Sequence, residues 1–334
     1  MVFLQSLVII GLKKILIRLK AIKKYLPSYT PELIISTTPP LGYYKVVKYY
    51  KKRNADCKSY IILRDIWPEA FKLLDFDKRF PILYKYYRNE EKKMYELADV
   101  IGCMSQGNID FVKHSNPETA DKLTYLPNWS TIQPIKPADV SIRSKYGLEG
   151  KIVFIYGGNM SVPQGMENII SLAEIGHKYE NLLFLLIGKG TEKQKVVEAV
   201  KTKQLTNVKI MDYLPQEDYQ NILKTCDVGL ISLNDKLQTP SIPSKIMSYW
   251  NLGIPVFAII DHVTDYGDIL DESKSGLWAR VGETDKIKVA LEKMVMNGDL
   301  RKQMGNNGKE YLKNECSVEL TYQRIFEQLY GNKQ

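Results

Sequence analysis

The chain is poor in the residues that build metal sites and disulfide frameworks. Its four cysteines (Cys57, Cys103, Cys226 and Cys316) are scattered through 334 residues, and so are its three histidines. Such spacing argues against a disulfide framework and against a zinc site, and it predicts a reducing, cytoplasmic setting. Low-complexity tracts are missing, as is any repeat at solenoid periods. Long apolar runs are missing too. The uncharged stretch before Lys13 is too short to span a bilayer, and its charges follow the apolar run where a signal peptide has them first. No G-x-G-x-x-G followed by an acidic residue about 20 positions on is present, which leaves a dehydrogenase poorly supported.

Acidic residues are scarce at the front. Residues 1–58 hold twelve Lys/Arg against two acidic residues, a surplus of ten that leaves the other 276 residues at −1 within the net +9. A basic segment on a neutral body implies an anionic partner for that segment alone. Within residues 1–26, Val8, Leu12, Ile15, Leu19, Ile22 and Leu26 share one helical face, while Lys13, Lys14, Arg18, Lys20 and Lys24 lie largely on the other. Such a helix either lies in the interface of the cytoplasmic membrane or packs on the protein with a solvated basic face. No nucleic-acid motif accompanies the charge, so nucleic acid is not predicted as a partner.

From Pro31 the pattern alternates between strand and helix, at a length that suits two domains. Leu33–Ser36, Ser59–Leu63, Asp99–Met104 and Lys122–Leu126 read as strands of the first half. Ile152–Tyr156, Leu182–Ile187, Val208–Met211, Val228–Leu233 and Pro255–Ile259 read as strands of the second, and helices finish the chain from Asp285. Regular alternation of this kind predicts α/β architecture with two Rossmann-like domains, each a parallel sheet covered by helices. The first is expected to be incomplete, since it opens on a helix and counts about four strands. The expected partition is a basic helix over 1–26, a partial N-terminal domain over 27–130, a linker over 131–150, a C-terminal domain over 151–312 and a terminal helix over 313–334.

Several loops of the second half fall on one sheet edge. Gly157, Gly158, Asn159, Gln164 and Gly165 follow its first strand, Gly188, Lys189 and Gly190 its second, and Tyr213, Leu214 and Pro215 its third. Pro243, Ser244 and Lys245 then open the helix before Pro255. Glycine lets backbone N–H groups approach an anion, and a lysine at a helix start can reach a bound diphosphate. Together these predict a nucleotide-diphosphate site with Lys245 at its centre. In the first half, Asp65 and Glu69 flank Trp67-Pro68 after a strand. Asp65 is either a base facing an acceptor or a helix cap. Thr37, Thr38 and Pro39 are either acceptor-side groups or ordinary turn residues. His262 and Asp265 are either contacts to a donor sugar or plain loop.

The order GGN…QG, IGKG, YLP, CDVGLISL and PSKIMSYWNLGIPVFA resembles the C-terminal domain of family 4 glycosyltransferases of the GT-B fold. STTPPLG and RDIWPEA are similar to the acceptor domain of bacterial members that build surface polysaccharides, in particular fucosaminyl and colanic-acid transferases. The resemblance covers roughly residues 30–330. It implies two domains facing each other across a cleft, and a terminal helix that returns to the first. It also implies retaining, metal-independent transfer from a nucleotide sugar, with no cofactor, and UDP-linked donors are expected. The acceptor would be a lipid-linked glycan or an oligosaccharide, and the enzyme would sit peripherally on the inner face of the cell membrane. Lys245, Pro243 and Ser244 match the diphosphate-binding helix start, and Tyr213–Pro215 the loop near the base. The first loop's Arg and Lys fall on Asn159 and Gln164. The spaced glutamates fall on Pro240 and Ser248, so Ser248 stands where a donor-binding carboxylate is expected. Two alternatives use the same donor: a truncated, non-catalytic nucleotide-sugar-binding subunit, and a GT-B sugar-nucleotide epimerase.

Overall fold

The computed structural model describes residues 20–26, 28–134 and 141–331. They divide into two compact units, Met1–Pro127 with Thr321–Gln334, and Asn128–Leu320.

In unit 1, helical residues 20–25 (α1) precede β1 (Leu33–Thr37), α2 (Tyr44–Lys51), β2 (Lys58–Leu63), α3 (Phe76–Arg79), α4 (Pro81–Leu97), β3 (Val100–Cys103), α5 (Gln106–Ser115) and β4 (Leu123–Tyr125). The strands pair in parallel in the order β1-β2-β3-β4. β2 reads KSYIIL and is buried from Ser59 onward, as a strand covered on both faces must be. Pro81 starts α4 where a missing N–H costs nothing. The Ser105 hydroxyl caps α5 by accepting from Asn108 N at 3.1 Å. Of the basic segment 1–26, residues 1–19 lie outside the described residues. Ile22, on its apolar face, packs against the Val46, Tyr50 and Cys57 cluster. Among the described residues no helix is long and apolar enough to cross a membrane.

Unit 2 runs α6 (Ser141–Lys145), β5 (Ile152–Asn159), α7 (Met166–Gly176), β6 (Leu182–Lys189), α8 (Lys193–Thr202), β7 (Val208–Met211), α9 (Gln216–Leu223), β8 (Val228–Ser232), α10 (Ile246–Leu252), β9 (Val256–Ile260), α11 (Tyr266–Ser273), β10 (Gly276–Arg280), α12 (Thr284–Met296) and α13 (Gly298–Glu315). Its six strands are parallel in the order β10-β9-β8-β5-β6-β7. The chain builds outward from β5 through β6 and β7, then returns to β8 and builds the other way. The expected two parallel-sheet α/β domains are therefore present.

Three differences from the sequence reading have physical causes. β5 and β6 extend through the glycines expected as loops, because Gly158 pairs with Gly188 and Asn159 with Lys189. α10 begins at Ile246, not Ser244, and Lys245 occupies the position just before it. β10 and α11 were not anticipated: β10 opens on Gly276, whose bare Cα abuts the Val256 carbonyl, and it closes on Arg280, so its apolar run is only Leu277-Trp278-Ala279, too short to mark a strand.

Helix α14 (Val318–Tyr330) ends the described chain, and from Thr321 it belongs to unit 1. Gln328 anchors it there. Its Oε1 accepts from Tyr60 Oη at 2.6 Å and from Thr124 Oγ1 at 3.1 Å, and its Nε2 donates to the Tyr125 carbonyl at 2.9 Å.

Candidate functional site

The strand order of unit 2 reverses between β5 and β8. In open parallel sheets ligands bind outside the carboxyl ends at such a point, because the flanking loops leave in opposite directions. Here β5 and β6 end as paired backbone tips. A Cβ on Gly188 would lie 1.9 Å from the Gly158 carbonyl oxygen, so only glycine permits the pairing. Met160 N then donates to Lys189 O at 2.8 Å, and Glu192 N to Met160 O at 2.9 Å, which fixes both turns. Beneath them, the buried Tyr156 hydroxyl donates to the Asn159 carbonyl at 2.6 Å, with Gln164 Oε1 3.3 Å away. The Tyr219 phenol packs directly under Gly157.

Lys245 reaches this place from the other side of the reversal. The loop after β8 is pinned by Asn234, whose Nδ2 donates to Val162 O at 2.9 Å and to Glu167 Oε1 at 3.3 Å. Asn128 Nδ2 holds Ile242 O at 3.0 Å, and Thr264 Oγ1 holds Ser241 O at 2.9 Å. Behind it, α10 is clamped by Trp250. The indole donates to Ser275 Oγ at 2.8 Å, packs against Gly308 and meets the Tyr311 ring at 5.1 Å. Gly305 lets α13 touch the Gly253 carbonyl.

The result is a half-buried lysine whose Nζ stands 3.7 Å from the centroid of the Tyr156 ring and beside Gly158. Among the described residues no carboxylate pairs with it. Desolvation lowers its ammonium to about 7, since a buried cation lacks the solvent that stabilises its charge. The aromatic face under it offsets only part of that cost. An incoming dianion would supply the missing partner.

The other residues divide by position. Asn159 (its Nδ2 on Ser161 Oγ at 3.0 Å) and half-buried Gln164 share the β5 tip with Lys245's amine, while Gly165 packs against Leu233 and Asn168. Gly188 joins them through the strand pairing and Gly190 follows on the same turn. Lys189 turns to solvent and covers the exposed Tyr213 ring at 5.0 Å, with half-buried Leu214 and exposed Pro215 leading into α9. Pro243 and Ser248 are half-buried and Ser244 is exposed around the start of α10.

In unit 1 the candidates separate. Thr38 is buried, and its hydroxyl donates to Asp65 O at 2.9 Å while accepting from Arg64 N at 3.1 Å. It ties the turn after β1 to the turn after β2. Trp67 belongs to an aromatic cluster with Phe71, Phe76 and Tyr87. Glu69 is buried and accepts from Lys72 Nζ at 2.6 Å, from Arg88 Nε at 3.4 Å and from the Tyr84 hydroxyl. Thr37, Pro39 and Asp65 remain exposed. The following 3-10 turn, Glu69–Leu74, is preceded by Pro68 with no side-chain cap, so Asp65 does not act as its cap.

Sequence reasoning overlooked Tyr156 and Tyr219. Each sits inside an ordinary apolar or amphipathic run, and only the fold shows that they floor the β5 tip. Among the described residues no group of three or more His, Cys, Asp or Glu side chains converges as metal ligands do.

Comparison with known proteins places this geometry. The family model described as glycosyl transferases group 1 matches residues 140–311, just over half of the chain. WbjE of Pseudomonas aeruginosa, named a probable glycosyltransferase, is 24% identical over 74% of this chain and 59% of its own length. WcaI of Escherichia coli K12, named for colanic acid biosynthesis, is 27% identical over 46% of this chain and 38% of its own. The chain thus spans between about two fifths and three fifths of these relatives. Among solved structures, Anabaena HepE in complex with UDP superposes with a TM-score of 0.71 at 16% identity, over 94% of this chain and 80% of HepE. HepE with UDP-glucose gives 0.68. At that identity the likeness shows the fold, which is GT-B.

Proposed function

The chain belongs to the group 1 glycosyl transferases, and we propose that it moves a sugar from a nucleotide-diphosphate sugar, UDP-linked, onto a lipid-linked or oligosaccharide acceptor in bacterial surface-polysaccharide synthesis, such as O-antigen or capsule. One observation carries the reading. An amine with no acidic partner among the described residues is held against Gly158 and Tyr156 at the reversal of a parallel sheet. A diphosphate fits that place by charge, by the glycine-lined approach and by the position of the reversal. HepE, whose solved complexes hold UDP and UDP-glucose, supports the choice of nucleotide. The names of WbjE and WcaI support the polysaccharide setting.

The reaction we assign is a retaining hexosyl or N-acetylhexosaminyl transfer that needs no metal and no cofactor. Breaking the glycosidic bond adds a further negative charge to the two already on the diphosphate, so positive charge placed there in advance lowers the barrier. Lys245 supplies that charge, with Lys189 adding to it nearer the base side, where Tyr213 offers an aromatic face. On the acceptor side we assign Asp65, the exposed carboxylate, to the acceptor hydroxyl, with Thr37 and Pro39 beside it. Thr38, Trp67 and Glu69 hold the backbone that presents it. The basic segment 1–26 would keep the enzyme against the anionic inner face of the cell membrane.

The test is UDP binding by calorimetry and sugar release from UDP-glucose and UDP-N-acetylglucosamine, with the intact chain and Lys245→Ala. Loss of a charged hydrogen bond to phosphate should weaken UDP by roughly 10- to 100-fold. A variant that binds UDP as tightly as the parent would remove the proposal's main support.

A further inference from the structure

Asp235 and His262 stand at equal distances past two neighbouring strands. β8 and β9 pair in parallel with Ser232 opposite Ile259, so the residues three positions on emerge side by side at the carboxyl edge. His262 Nε2 lies 3.5 Å from Asp235 Oδ1, and both side chains are about half exposed (58% and 49%). An exposed pair of this kind contributes little to stability.

The backbone beneath the pair is nevertheless firmly held. Asn234 is buried; its amide N donates to Pro163 O at 3.0 Å, and its Oδ1 accepts from Lys236 N at 2.9 Å. On the other side, Asp261 is fully buried and its Oδ1 accepts from Val263 N and Thr264 N at 2.7 and 2.8 Å. Arg280 donates to the Asp261 carbonyl at 2.5 Å. Thr264 Oγ1 then binds Ser241 O, four residues before Lys245. Two polar side chains are thus presented to solvent from fixed backbone, on the loop system that delivers Lys245.

The remaining acidic groups on these loops are differently engaged. Glu192 pairs with Lys195 at 2.9 Å, Asp212 with Lys193, and Glu283 with Lys286 at 3.5 Å. Asp261 caps a turn through Oδ1 and is fully buried, and Asp265 has contacts of its own. Pro240 and Ser248 carry no charge. Asp235 is the carboxylate here that faces an imidazole, and together they offer an acceptor and a donor a few ångströms apart. That is the combination that binds adjacent hydroxyls of a sugar ring.

We propose that Asp235 and His262 form the subsite that reads the hydroxyls of the transferred sugar, and so set which nucleotide sugar is accepted. The inference rests on the reading of Lys245 as the diphosphate anchor. Calorimetry with UDP, UDP-glucose, UDP-galactose and UDP-N-acetylglucosamine tests it on the intact chain. The parent protein should rank the three sugars. In Asp235→Asn and His262→Ala the affinity for the preferred sugar relative to UDP should fall about tenfold or more, while UDP itself changes less than twofold. His262→Gln, which keeps a donor, should recover part of the loss. Unchanged ratios in both variants overturn the subsite, and so does a parent that binds all three sugars alike. Failure of the parent to bind UDP overturns the diphosphate reading instead, so the two failures are distinguishable.

Discussion

Lys245 gives the donor site a pH dependence whose sign is fixed in advance. In the free protein its ammonium loses its proton near pH 7, because it is desolvated and has no acidic partner among the described residues. A bound diphosphate favours the charged form and moves the transition well above that value. Only the protonated amine attracts the ligand, so apparent affinity follows the protonated fraction of the free protein. That fraction is about one half at pH 7, about one tenth at pH 8 and about one hundredth at pH 9 for a group titrating near 7. Affinity for UDP-glucose should therefore change less than twofold between pH 6 and pH 7, fall about fivefold from pH 7 to 8, and fall about tenfold more by pH 9. One pH unit on the steep limb corresponds to roughly 1.4 kcal/mol. Binding at pH 8 should also take up close to one proton.

Calorimetry in buffers of different ionisation enthalpy measures both quantities. A nucleotide sugar suits the assay better than UDP, because its phosphodiester groups do not titrate in this range. The surrounding phenols of Tyr156 and Tyr219 are pushed upward by burial and stay protonated throughout. Lys245→Met keeps the stem over the Tyr156 ring and removes the charge, so it should bind weakly and without pH dependence. Affinity that is flat from pH 6 to 9 in the parent, or a slope that survives in Lys245→Met, would refute the reasoning. The free protein should show the opposite sign. Between about pH 7 and pH 10 the unfolded chain holds a proton that folded Lys245 has released, so this group makes stability rise with pH there.

Two further perturbations test the framework. Gly305→Ala places a Cβ 1.9 Å from the Gly253 carbonyl oxygen, a rigid backbone atom, and should destabilise unit 2 by roughly 1–3 kcal/mol; an unchanged melting temperature would contradict the α10–α13 contact. Burial raises the Glu91 carboxyl to about 7, outweighing the Arg88 guanidinium beside it. The folded chain then keeps a proton that the unfolded chain has lost between about pH 4.5 and pH 7, so this group makes stability fall as pH rises through that window. Thermal melts at pH 5 and pH 7 should show a shallower fall for Glu91→Gln than for the parent, and parallel slopes would count against the shift.

How far the sequence alone carries depends on which neighbours decide a residue's role. β2 and β9 were legible because a strand covered on both faces must be apolar throughout, and that is a local requirement. Pro81 at the start of α4 and Ser105 at the cap of α5 answer equally local requirements. Lys245 stood out because strand, loop, lysine and helix follow one another directly in the chain. Asp65 and Glu69 show where such reasoning stops. They flank the same Trp67-Pro68 and look equivalent in sequence, yet Glu69 turns inward because α4 brings Arg88 and Tyr84 to it from 19 and 15 positions away, while Asp65 keeps an exposed surface with a carboxyl raised by partial desolvation. Asp235 and His262 lie further beyond local reading, since they are 27 positions apart. Their meeting depends on the register of β8 against β9, and a slip of one residue would part them. The same dependence explains why the charge expected on the β5 loop, at Asn159 and Gln164, could be absent from that loop and still be present at the site. Folding brings the Lys245 amine to Gly158 from the far side of the sheet reversal, and a diphosphate responds to where the charge stands, not to which loop carries it.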